Sequence, residues 1–289
     1  MRGILLAGGN GSRLWPITKV VSKQLLPLYD KPMIYYPLST LMLAGVREIL
    51  IITTPRDLES FKSLLGDGSQ LGISLTYRVQ PKPEGLAQAF IIGQDFLDQN
   101  ACLMILGDNI FHGVGLGEEL GKLRPTKGAH IFTYEVSDPS QYGILTLDKN
   151  GKPKSIEEKP SKYLSNLAIT GLYFFDDNVA QIAKKVKPSK RGELEITSVL
   201  EWYLQNGQLG VSQLSRGIAW LDTGTQNSMH DAAAYIRIIE ERTGLKIGCV
   251  EEVGFRNGWI SKSSLKDLAK SHPHNSYGEY LYSLIRDAE

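Results

Sequence analysis

The chain has 289 residues, enough for one large or two modest domains with a full core. Hydrophobic residues are 42% and charged residues 22%, the balance of an ordinary soluble globular protein. The formal net charge of +1 gives no electrostatic case for nucleic acid or a membrane surface as a partner.

The first predicted element is a strand, Ile4 to Ala7, a short apolar run suited to burial. Gly8, Gly9, Asn10, Gly11 and Ser12 follow at once. Glycines there let backbone N–H groups approach a ligand closely. Arg13 adds a fixed cation, and Lys23 a second one beyond the loop, next to Gln24. A strand, a glycine loop and two cations suggest a phosphate cradle. Two familiar phosphate loops are excluded. No Gly-Lys-Ser/Thr follows, so this is not a P-loop. Leu14 stands where a dinucleotide fingerprint needs its last glycine.

The next elements alternate. Helices are predicted from Met33 to Ala44, Arg56 to Leu65 and Leu86 to Phe96. Strands are predicted from Glu48 to Thr53, Ser74 to Val79 and Ala101 to Leu106. Such alternation argues for a parallel sheet with helices on both faces, binding ligands at the carboxyl ends of its strands. The glycine loop, Gln80 and Asp108 each follow a predicted strand. Closely spaced strands come next, from Ala129 to Val136, Ile144 to Leu147, Pro153 to Glu157 and Ala168 to Phe175. Helical crossovers are missing there, so some antiparallel pairing is expected. Helices from Val179 to Val186 and Thr197 to Gln205 precede a strand from Leu209 to Leu214.

Leu221 to Thr225 reads as a turn into a long helix, Gln226 to Arg242, with Thr225 as its N-cap. Two further helical patterns, Ser263 to Lys270 and Ser276 to Arg286, close the chain. The expectation is one domain over 1–289, a core to 242 and a helical extension over 243–289. Cys102 and Cys249 sit in apolar surroundings, so neither a disulfide framework nor a Cys-based zinc site is expected. No leader pattern and no apolar run of ~18 residues is evident, which makes the cytoplasm the expected location.

Asp108 and Asp222 each sit in a turn after a strand-like run. By pattern alone they are either metal ligands or caps of the next element. The opening stretch, Gly8-Gly9-Asn10-Gly11-Ser12-Arg13-Leu14 with Pro16 and Lys23-Gln24-Leu25-Leu26-Pro27, resembles the signature of the sugar-phosphate nucleotidylyltransferases. Ser12 departs from the usual Thr but keeps its hydroxyl. Gly107-Asp108-Asn109, Glu158-Lys159-Pro160 and Asp222-Thr223-Gly224-Thr225 extend the resemblance over nearly the whole chain. Arg191 to Thr197 and Gly248 to Gly258 make it most similar to the long class, the glucose-1-phosphate thymidylyltransferases.

The resemblance implies a Rossmann-like nucleotidyltransferase fold, with a mixed, mostly parallel sheet. It implies transfer of a deoxythymidylyl group from dTTP to glucose 1-phosphate, or of a uridylyl group from UTP as the alternative. Arg13 and Lys23 would bind and stabilise the triphosphate, and Asp108 and Asp222 would hold catalytic Mg²⁺. Leu6, Gly8, Gly9, Asn10, Gly11, Ser12 and Gln24 would lie along the nucleotide, with Gln80 and Gly85 at the base. Asn109, Tyr142, Gly143, Glu158, Lys159, Ile169 and Trp220 would form the sugar-phosphate side. The resemblance also implies a homotetramer, feedback at a second site, and a product feeding dTDP-sugars such as dTDP-rhamnose.

Overall fold

The computed structural model describes residues 1–9, 11–123 and 127–286; Asn10 of the glycine loop lies outside them. In chain order its strands are β1 (Arg2–Ala7), β2 (Pro27–Leu28), β3 (Lys31–Pro32), β4 (Glu48–Thr53), β5 (Ser74–Val79), β6 (Cys102–Leu106) and β7 (Asn109–Gly113). They continue with β8 (Ala129–Glu135), β9 (Gly143–Leu147), β10 (Pro153–Glu158), β11 (Leu167–Phe175), β12 (Leu209–Gln213) and β13 (Ile218–Asp222). Nine of them form one mixed sheet.

Half of that sheet is parallel: β6, β1, β4 and β5 lie side by side, with Leu5 opposite both Ile51 and Ile105. The inner strands β1, β4 and β6 read as apolar runs because both of their faces are covered, whereas the edge strand β5 alternates apolar with polar residues. Leu5, Ala7, Ile49, Ile51, Leu103 and Ile105 pack on one side with Leu38 and Leu41 of the helix Tyr35–Leu43. Ile4, Leu6, Leu50, Ile52 and Met104 pack on the other with Phe90 and with Leu200 of the helix Ile196–Gln205. Each such buried aliphatic side chain contributes about 1.5–3 kcal/mol relative to exposure. Parallel alignment also puts the carboxyl ends of β1, β5 and β6 along one edge. The glycine loop, Gln80 and Asp108 therefore meet there.

The other half is built around β11 with antiparallel pairs, except that β12 pairs in parallel with β8. Leu172–Phe175 pairs with β6, β8 runs along the opposite edge, and Ala168 pairs with Ile144 of β9. The β9–β10 pair sets Glu158 opposite Gly143. A separate two-stranded sheet, β7 with β13, sets Asp222 opposite Asn109. Sequence reading made the start of β7 and the end of β13 turns. The predicted helix from Leu86 to Phe96 is two short ones, Gln88–Ile92 and Gln94–Leu97, separated by Gly93. Helices Leu116–Lys122 and Val250–Arg256 were not predicted.

The helices Val250–Arg256, Lys262–Lys270 and Ser276–Arg286 gather around Cys249, Leu265 and Leu281. Buried charges link the helix Gln226–Thr243 and Lys246 just after it to the β2–β3 pair: Glu240 accepts from Lys31 at 3.2 Å and from Lys246 at 2.8 Å, and both lysines also reach Asp30. Among the described residues no helix is long and apolar enough to cross a membrane.

Candidate active site

Two cavities meet at the carboxyl edge of the parallel strands. The larger is ≈ 340 Å³ and the smaller ≈ 220 Å³. Arg13, Asp108 and Gly224 line both, so the two spaces share a wall.

The smaller cavity is the glycine loop. Gly8, Gly9, Gly11 and Ser12 line it, with Lys23 and Gln24 opposite. Gly9 and Gly11 take φ of 97° and 58°, a region that disfavours other residues. The loop is tied down by Thr18, whose Oγ1 donates to the Gly11 carbonyl at 2.7 Å. Arg13 is exposed at the loop's end, on the short helical turn Ser12–Leu14. Lys23 is buried and donates to Asp108 Oδ2 at 2.7 Å. Leu6 lies beneath the loop in the core, and its carbonyl accepts from Gly107 N at 2.9 Å. Gln24 is buried and accepts at Oε1 from the Ser22 hydroxyl at 2.7 Å.

One carboxylate, Asp108, stands at the shared wall, and a second, Asp222, lines the larger cavity. Burial works to raise the pKa of Asp108, but the Lys23 ammonium and the Asn109 amide outweigh it and hold the carboxyl below the usual range. Asn109 Nδ2 donates to Asp108 Oδ1 at 2.9 Å. Thr223 binds the Asp108 carbonyl through both its N–H and its hydroxyl, at 3.1 and 2.9 Å. That contact, with the β7–β13 register, brings the neighbouring Asp222 into the larger cavity beside Gly224 of that wall. Asp222 Oδ1 accepts from the Tyr142 hydroxyl at 3.0 Å. Burial and the Asp222 charge push the Tyr142 pKa up, so the phenol remains a donor.

Two carboxylates beside open space suit a hard divalent cation that takes its other ligands from phosphate and water. Among the described residues no group of three or more His, Cys, Asp or Glu comes together to hold a metal. A cation here would therefore depend on substrate oxygens as well as on Asp108 and Asp222.

The larger cavity carries the predicted sugar-side residues. Tyr142, Gly143, Glu158, Lys159, Ile169 and Trp220 all line it, as does Asn109. Lys159 takes φ of 45°, in the left-handed region, while its N–H donates to the Tyr142 carbonyl at 3.0 Å. Non-glycine residues held there cluster at functional sites. Burial, then Glu195, raise the pKa of Glu158 against Lys159 and Arg191, which lower it. Trp220 donates through Nε1 to Asn109 Oδ1 at 2.7 Å, and its ring packs on Tyr142 at 5.1 Å. The Asn109 amide is thus spent largely on Trp220, Gly171 N and Asp108.

A family model described as nucleotidyl transferase matches residues 2–238. The chain belongs to the nucleotidyl transferase family. The glucose-1-phosphate thymidylyltransferase of Neisseria meningitidis is 52% identical over 287 residues, covering 99% of this chain and 100% of that one. That of Xanthomonas campestris pv. campestris is 54% identical over 286 residues, covering 99% and 97%. A Bacillus anthracis crystal structure described as a glucose-1-phosphate thymidylyltransferase in complex with a sucrose superposes with a TM-score of 0.75 at 42% identity, covering 82% of this chain and 95% of that one. A UDP-glucose pyrophosphorylase complexed with UDP-glucose shares the fold, with a TM-score of 0.73 at 24% identity over 82% and 98% of the two chains.

Within this nucleotidyl transferase, Gln80 and Gly85 line neither cavity. Gln80 is buried beside the glycine loop, and Gly85 is half-buried with φ of 110°. A Cβ on Gly85 would lie 2.4 Å from the Leu194 carbonyl oxygen, so the close approach of Leu194 already requires glycine there. Sequence reading missed Tyr173, Ile196, Thr197 and Ser228 in the larger cavity. Tyr173 lies inside an apolar strand and Ser228 inside a helix, where nothing local marks a ligand. Ser228 completes a reciprocal cap with Thr225 at the start of the helix Gln226–Thr243, a spacing that was legible.

Proposed function

We propose that this nucleotidyltransferase moves a deoxythymidylyl group from dTTP to α-D-glucose 1-phosphate, giving dTDP-glucose and pyrophosphate. The observation that carries the proposal is the shared wall. A glycine cradle with Arg13 and Lys23 opens on one side, and a cavity with Lys159, Glu158 and Tyr142 opens on the other. Two bound substrates would meet at Asp108 and Arg13, as in-line transfer requires. The relatives, 52% and 54% identical over essentially the full chain, support the same substrates.

A phosphate monoester is a competent nucleophile near neutral pH, so the reaction needs positioning and charge neutralisation more than a general base. The glycine loop and Lys23 bind the triphosphate. Arg13 stabilises charge on the transferring group. Lys159 binds the phosphate of the sugar phosphate, and Glu158 accepts from sugar hydroxyls while Ile169 and Trp220 form walls. Gln80 and Gly85 read the base, with Gln24 toward the deoxyribose. Asp108 and Asp222 would hold Mg²⁺, which would supply charge neutralisation at the phosphates. A cytoplasmic location, a four-subunit assembly and supply of dTDP-sugar synthesis complete the proposal. The test is product identification by mass spectrometry from dTTP, glucose 1-phosphate and Mg²⁺. Formation of dTDP-glucose and pyrophosphate is expected; no dTDP-glucose from an otherwise folded enzyme would overturn the proposal.

A further inference from the structure

Gln80 is only 5% exposed, and its amide is held by a chain of bonds outside the reacting groups. Gln80 Nε2 donates to Gln88 Oε1 at 2.6 Å. The same Gln88 oxygen accepts from Glu84 N at 3.2 Å, and Gln88 Nε2 donates to Glu84 Oε2 at 2.8 Å. Which end of an amide is oxygen follows from its partners. A backbone N–H only donates, and an ionised carboxylate only accepts. Glu84 supplies both, and both fix Gln88 the same way round. With the Gln88 oxygen facing it, the Gln80 amide must turn its NH₂ group there. Gln80 Oε1 is then left beside the glycine loop, where a Cβ on Gly8 would lie 2.1 Å from it.

We propose that Gln88, anchored by Glu84, is a specificity-determining positioning residue: it locks the Gln80 amide in the orientation that fits thymine or uracil and opposes cytosine. This rests on the reading of Gln80 as the base-facing group. Thymine and uracil present N3–H, a donor, beside the O4 acceptor. Cytosine presents N3 as an acceptor beside the 4-amino donor. An amide offering its oxygen to N3 and an N–H to the neighbouring carbonyl pairs with the first and leaves repelling or unpaired groups against the second. A freely turning Gln80 could serve either base by rotating half a turn. The Gln88 bond removes that option, because a turned Gln80 would set oxygen against oxygen.

The test is kcat/KM for dTTP and dCTP at saturating glucose 1-phosphate, in wild type and three variants. Wild type is expected to prefer dTTP at least a hundredfold. Gln88→Lys replaces the acceptor with a group that only donates, which favours the turned Gln80. It is expected to cut the preference at least tenfold, with dCTP rising as dTTP falls and the KM for glucose 1-phosphate unchanged. The double exchange E84Q/Q88E keeps an acceptor at position 88 and gives it a donor at position 84, so the preference should stay within threefold of wild type. An unchanged preference in Gln88→Lys, or equal loss with both nucleotides as a merely structural role gives, overturns the proposal, as does a collapsed preference in the double exchange. Gln80→Leu separates the two readings. If the preference survives that change, Gln80 does not read the base, and the Gln88 proposal falls with it.

Discussion

Lys23 and Asp108 form an ion pair of 2.7 Å where the two cavities meet, with the Lys23 side chain 8% and the Asp108 side chain 27% exposed. The pair joins the two halves of the proposed chemistry. Lys23 is assigned to the triphosphate and Asp108 to the metal. Before substrate arrives, the Lys23 ammonium holds Asp108 ionised against the burial that would otherwise tend to neutralise it.

That pairing distinguishes the two carboxylates experimentally. Asp108→Asn and Asp222→Asn are both expected to lower kcat at least a hundredfold, because each removes a ligand charge at the phosphates. Asp222→Asn should leave stability nearly unchanged, since an amide oxygen can still accept from Tyr142. Asp108→Asn should also cost about 1–3 kcal/mol, because it strands a buried ammonium. Turnover and urea midpoints of both variants check this. EDTA should abolish activity and Mg²⁺ restore it; near-normal turnover in both variants would sink the metal assignment.

Arg13 and Lys159 occupy different places and should fail differently. Arg13 lines both cavities, whereas Lys159 lines only the larger. Arg13→Ala is expected to depress kcat. Lys159→Ala is expected to raise the KM for glucose 1-phosphate at least tenfold with little change for dTTP. If Lys159→Ala moved only the dTTP constant, the roles would be misassigned.

The raised pKa of Glu158 gives a pH signature with a definite sign. If its ionised form accepts from the sugar, protonation weakens sugar binding. The KM for glucose 1-phosphate should therefore rise as pH falls, beginning above the ~4.3 of an ordinary glutamate. For stability the sign is opposite. Between the ordinary and the raised value the native state holds a proton that the unfolded chain has lost, so acidification across that window favours the folded state. A pH series of the KM checks the first and a pH series of the urea midpoint checks the second, each in wild type and Glu158→Gln. A rise of equal size in Glu158→Gln would assign the effect elsewhere.

Much of this was legible in the chain itself. The predicted strands from Glu48 to Thr53 and Ser74 to Val79 coincide with β4 and β5: β4 is an apolar run buried on both faces, and β5, at the sheet edge, alternates Leu, Tyr and Val with Ser, Thr and Arg. The resemblance of Gly8–Leu14 and its partners named residues that line the two cavities. What escaped was the pairing of β7 with β13. Both are short, β7 carries Asn, His and Gly at its ends, and their register joins residues far apart in sequence. Yet that pairing sets Asp222 opposite Asn109, the residue next to Asp108. The Gln88 bond escaped for a similar reason, since a glutamine on a short helix carries no local sign of what it orients.

The central claim concerns which nucleotide is transferred, and pyrophosphate release with glucose 1-phosphate across dTTP, UTP, CTP, ATP and GTP tests it most directly. Thymine differs from uracil by one methyl, worth about 1 kcal/mol when buried. That sets dTTP ahead of UTP by only about tenfold at the base. Any further gap must come from the 2′-hydroxyl near Gln24. The account expects dTTP first, UTP a measurable second, and ATP and GTP far behind, because a purine presents a larger ring and a different edge. An enzyme that uses ATP as readily as dTTP would contradict both the base-reading role of Gln80 and the thymidylyl assignment.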